Sequence, residues 1–186
     1  MISKDISNSS LYILQIVITS ALTLSLIGIM THKLTPFELG EFFLVQIYTN
    51  FAVGVANLGF LVGYERNFFI YEKSRKQSAE LISSAQTFVF LNLLILTIIV
   101  YAFQAELSLF ITSTEELNGL LMILLIASSI SSLSQYYLTY FKNSSLVKSY
   151  VKFTIFQVAI YFCFAILLLF ATSLKVMSLA YAMLIS

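Results

Sequence analysis

Five stretches of this chain run without a charged side chain over residues 11–30, 42–64, 81–105, 117–141 and 153–174. A bilayer core of about 30 Å is spanned by roughly 20 helical residues, and lipid accepts only backbone whose polar groups are satisfied internally. The expected fold is therefore all-α, a polytopic bundle of transmembrane helices. Composition points the same way. Charged residues make up 10% of the 186 and hydrophobic ones 59%, whereas a soluble domain carries about 25% charged residues.

A sixth apolar run, residues 176–186, is cut off by the end of the chain. The expectation is five complete transmembrane helices plus a truncated sixth, at about 9–31, 36–64, 79–105, 115–141, 147–173 and 175–186. The first run exceeds the 7–15-residue apolar core of a secretion signal, and no small-x-small cleavage site follows Met30. It reads as a retained helix.

Several function classes lose support. A net charge of +1 gives no electrostatic footprint for nucleic acid. His32 is the only histidine, which removes a multi-histidine metal site, and no HExxH, GxSxG, P-loop or CxxC pattern occurs. Cys163 is the only cysteine and sits in an apolar run, so it is expected to pack as a small buried residue. The chain is read as no enzyme, with no cofactor and no metal.

Basic residues orient such a bundle. With the N-terminus inside, the inner segments hold Lys4, Arg66, Lys73, Arg75, Lys76, Lys142, Lys148 and Lys152, and the outer ones only Lys33 and Lys175. The outer loop with Glu106, Glu115 and Glu116 has no basic residue, which agrees. The basic segment 142–152 would attract anionic membrane lipid or the pyrophosphate of a lipid-linked sugar.

Residues 34–72 carry the most local information. Thr35, Pro36 and Glu38 form a capping box with proline at the first helical position, and Leu34 with Leu39 can add a hydrophobic staple. A helix over 36–64 would be about 43 Å long and must tilt or protrude. On it, Gln46, Asn50 and Asn57 share one face within about 40°, while Ala52, Ala56, Gly59 and Gly63 cluster at about 220–280°. The amide face suits polar contents, and Gly59 with Gly63 makes a GxxxG suited to close helix approach. Arg66 has two open readings, an anchor at the membrane surface paired with Glu65, or an inward side chain if the helix bends near Gly63.

Polar residues elsewhere fall in rows. Gln15, Thr19 and Thr23 are spaced i, i+4, i+8, and Ser128, Ser132, Gln135 and Thr139 form a second stripe. Each row is open to two readings, interhelical hydrogen bonding or a wet cavity wall. Residues 113–116 offer a second capping box, and Tyr136, Tyr137 and Tyr140 fit an interfacial aromatic belt. Gln86 and Asn92 suggest no site. The candidate substrate-binding residues are Gln46, Asn50, Asn57, Arg66, Gln15 and Gln135.

The run Leu34-Thr35-Pro36-Phe37-Glu38-Leu39-Gly40-Glu41-Phe42, then Leu58-Gly59, then Arg66-Asn67-Phe68-Phe69, resembles the first hairpin of polysaccharide exporters. These are the O-antigen-type flippases of the multidrug/oligosaccharidyl-lipid/polysaccharide superfamily. The resemblance implies one half of a two-bundle exporter fold in a bacterial inner membrane, with the N-terminus cytoplasmic and a missing C-terminal half as partner. It also implies a lipid-linked oligosaccharide as cargo, moved by alternating access, and a half-bundle that is inactive alone. A cation-coupled multidrug exporter and a polytopic enzyme of polysaccharide assembly are the alternatives. The first is disfavoured because no ionisable residue lies deep in a complete helix, the second because the outer loops are short.

Overall fold

A computed structural model describes residues 2–71, 74–112 and 118–186, with residues 2–7, 75 and 112 described by backbone only. Lys73, Glu72, Glu115, Glu116 and the capping box at 113–116 lie outside the described residues, as do the side chains of Lys4 and Arg75. The helices are α1 (Ile2–Lys33), α2 (Pro36–Asn57), α3 (Phe60–Tyr71), α4 (Arg75–Ala102), α5 (Gln104–Thr112), α6 (Asn118–Asn143), α7 (Val147–Ala171) and α8 (Val176–Ile185).

Five of these, α1, α2, α4, α6 and α7, are long and apolar enough to cross a membrane. Their outer faces suit lipid, since Leu24, Phe51, Ile98, Ile130 and Phe156, one on each, are all more than half exposed. The expected all-α membrane bundle is what the chain forms. Helix α8 is apolar but has only 10 residues.

Helix α6 is the hub. It packs against α2, α3, α4, α5, α7 and α8, and Leu120, Leu121, Leu124, Leu125 and Tyr136 on it are almost wholly buried. Helix α1 instead leans on α7 and barely meets α2. Two pairs result, α1 with α7 and α2 with α6, and a cleft opens between them.

The loop positions alternate between two ends of the bundle. At one end, Lys33 Nζ lies 4.0 Å from the Phe170 ring centre, and Lys175 Nζ donates to Glu38 Oε1 at 2.6 Å. That carboxylate raises the Lys175 pKa above its ordinary value, chiefly through this hydrogen bond. At the other end, Tyr12 meets Tyr150 at 5.5 Å and Lys142 meets Glu65 at 3.2 Å.

The helix expected over 36–64 is two helices. Helix α2 ends at Asn57, Leu58 turns left-handed with φ 49°, Gly59 follows with φ 73°, and α3 begins at Phe60. The reason is local, because two successive positive-φ residues cannot continue an α-helix. The carbonyls this frees need partners, and Asn92 of α4 supplies one, donating through Nδ2 to the Ala56 oxygen at 3.1 Å. Asn92, which suggested no site, is therefore a side-chain patch on a broken helix.

The small-residue face serves a different purpose from the one expected. A Cβ placed on Gly59 or Gly63 would meet nothing within 4 Å. Among the described residues no neighbouring helix uses the GxxxG for close approach, and Gly59 is needed for its backbone angle. The third crossing also differs from expectation, since α4 stops at Ala102 and the short α5 packs on α2 and α6.

Cys163 is exposed on α7, contrary to its expected burial, because the apolar run around it faces outward over much of its surface. Tyr136 is fully buried and Tyr137 half exposed, so the tyrosines do not all form one interfacial belt.

The capping box does form. Glu38 N–H donates to Thr35 Oγ1 at 3.3 Å and Thr35 N–H donates to Glu38 Oε2 at 2.8 Å. Thr35→Ala should therefore lower bundle stability by about 1 kcal/mol, read as a lower midpoint of denaturant unfolding in mixed micelles. An unchanged midpoint would mean that the cap contributes nothing to holding α2.

Candidate functional site

The amide face of α2 meets the hydroxyl face of α6. Ser128 Oγ donates to Asn50 Oδ1 at 2.9 Å, Asn57 Nδ2 donates to Ser132 Oγ at 3.2 Å, and Tyr136 O–H donates to Asn57 Oδ1 at 2.8 Å. Spacing explains the match. Asn50 and Asn57 are seven residues apart on α2, and Ser128 with Ser132 and Tyr136 repeat every four on α6, so both rows keep to one face. Burial of Ser128 and Tyr136 makes these bonds consequential, because an unpaired polar group away from water is costly.

Gln46, one turn before Asn50, is bound differently. Its Nε2 reaches only the Met183 sulfur, at 3.7 Å. A thioether is a weak acceptor, so most of the hydrogen-bonding capacity of this amide is left over. It faces a cavity of about 200 Å³ between the two helix pairs, lined also by Thr23 of α1, Ser131 of α6, Gln157 and Tyr161 of α7, and Ser186. Within the described residues, the side chains of Ser131, Gln157 and Tyr161 make no hydrogen bond to the protein.

No Asp, Glu, Lys or Arg among the described residues lines this cavity. Among the described residues there is also no group of three or more His, Cys, Asp or Glu that could hold a metal. Two carboxamides and several hydroxyls both donate and accept hydrogen bonds, and they form an uncharged polar niche inside apolar helices. Such a niche can bind a neutral, hydroxyl-rich group, and the described residues give it no carboxylate, histidine or basic side chain with which to relay a proton.

The six candidate residues separate. Gln46, Asn50 and Asn57 come together along α2, but only Gln46 lines the cavity, while Asn50 and Asn57 are tied to α6. Gln15 is buried on α1, and Gln135 and Arg66 are exposed on α6 and α3, none of them lining it. Arg66 does not pair with Glu65, whose carboxylate takes Lys142 instead. The row on α1 is mostly self-satisfied, since Thr19 and Thr23 donate to carbonyls one turn back, both at 2.9 Å.

Ser131, Gln157 and Tyr161 are cavity residues that sequence reasoning passed over. For the last two a signal was present, because Gln157 is the only carboxamide in its crossing and Tyr161 follows one turn later. The neighbouring amide Gln86 is structural, its Nε2 donating to the Leu133 oxygen at 3.2 Å.

Compared with family models, curated proteins and solved structures, the chain finds no match in any of the three.

Proposed function

We propose that the chain is the N-terminal part of a bacterial inner-membrane exporter, N-terminus cytoplasmic, that moves a lipid-linked oligosaccharide across the bilayer. The observation that carries this reading is the uncharged cavity of Gln46, Ser131, Gln157 and Tyr161 between the helix pairs. Carboxamides and hydroxyls suit sugar hydroxyls, which need donors and acceptors without fixed charge. The hairpin motif of residues 34–69 and the excess of basic residues at one end of the bundle support it further. The lack of Asp, Glu, Lys, Arg or His along the cavity among the described residues disfavours a cation-coupled drug exporter.

The test is Gln46→Leu with Gln157→Leu in the complete polypeptide, in cells whose surface polysaccharide depends on it. Surface polysaccharide should fall about tenfold, a loss worth about 1.4 kcal/mol of binding, while the amount of membrane protein stays constant. Normal polysaccharide at normal protein level would remove the cavity from the transport path.

A further inference from the structure

A second cavity, of about 440 Å³, lies at the end of the bundle that carries Lys142, between α3, α4 and α6. Its walls are Phe68, Ile82, Tyr137, Tyr140 and Phe141, and its polar groups are Ser78 and Ser144. The size and the mostly apolar lining with a few hydrogen-bonding groups are those of a small-molecule site. It shares no lining residue with the transport cavity.

Ser78 is the informative side chain. It is only 6% exposed, it lines this cavity, and its Oγ has no hydrogen-bond partner among the described residues. Buried hydroxyls rarely go unpaired. An unsatisfied buried donor on the cavity wall calls for a ligand that brings an acceptor.

We propose that this cavity binds one anionic glycerophospholipid. The ester carbonyl accepts from Ser78 Oγ, and the start of an acyl chain lies along Phe68, Ile82 and Phe141. Three observations favour lipid over a water-soluble ligand. The cavity sits at the ends of membrane-length helices, where the glycerol layer of a bilayer falls. Tyr137 and Tyr140 in its wall are of the type that partitions to that level. No charged side chain among the described residues lines it, so a charged headgroup has to stay outside, and there Lys142 remains more than half exposed beside Glu65. Lys76, Lys148 and Lys152 at the same end add to the attraction for an anionic headgroup.

The full chain is purified in mild detergent and titrated with phosphatidylglycerol or phosphatidylcholine, bound lipid being counted by native mass spectrometry. Wild type should hold one phosphatidylglycerol about tenfold more tightly than phosphatidylcholine. Ala79→Phe fills the cavity from an exposed position at its wall and should abolish this first binding step. Ser78→Ala should weaken it about threefold to tenfold yet raise the melting temperature of the lipid-free protein, since an orphaned hydroxyl is removed. Equal affinity for the two lipids, or undiminished phosphatidylglycerol binding in either variant, overturns the proposal. Neither readout involves transport, so the result is independent of the cargo.

Discussion

Asn57→Leu is expected to lower the stability of the bundle by about 2–3 kcal/mol. The substitution removes two interhelical hydrogen bonds, to Ser132 Oγ and from Tyr136 O–H, and adds apolar bulk between α2 and α6. Most of the cost comes from Tyr136. Its hydroxyl is fully buried and Asn57 Oδ1 is the acceptor it uses, so it would be left desolvated without a partner. Tyr136→Phe deletes that hydroxyl and should cost less, about 1 kcal/mol. In the double variant the orphan is gone, so the combined loss should be smaller than the sum. Denaturant unfolding in mixed micelles reads all three. A loss for Asn57→Leu no larger than for Tyr136→Phe would mean that the pairing of α2 with α6 does not depend on this amide.

The same contacts separate the amides tied to a neighbouring helix from the one that faces the cavity, which sequence alone did not. Gln46, Asn50 and Asn57 project from one face, and periodicity correctly groups them. Periodicity is silent on what stands opposite. The serine stripe on α6 lies nearly 80 residues later in the chain, and only its position against α2 turns Asn50 and Asn57 into glue. Gln46 differs because α8 offers it a methionine, not a hydroxyl. The function of each amide was therefore set by its neighbour's chemistry.

Other features were legible because they are local. The capping box needs only Thr35 and Glu38 at three-residue spacing, and the five crossings need only composition and length. The ion pair of Glu38 with Lys175 was not legible from spacing, because the partners stand far apart in the chain. It depends on α8 folding back beside the start of α2. Arg66 illustrates the limit from the other side. Choosing between its two readings by angle would presuppose a continuous helix from residue 36, and the break at Leu58 and Gly59 resets every angle beyond it.

That break supplies the second large effect. Gly59→Val should cost about 2 kcal/mol, since a β-branched residue at φ 73° meets its own carbonyl. Gly63→Ala, four residues later, should do the opposite. It lies inside α3 with open space around the added methyl group, so it gains about 0.5–1 kcal/mol of helix propensity. A GxxxG used for helix packing would give losses at both glycines, because each Cβ would push a neighbouring helix away. Opposite signs in the unfolding midpoints of the two variants thus separate a backbone hinge from a packing motif. If Gly63→Ala destabilises by as much as Gly59→Val, another helix lies against that face. If both are neutral, α2 and α3 run on as one helix, and the partner that Asn92 finds at the Ala56 carbonyl has no freed group to satisfy.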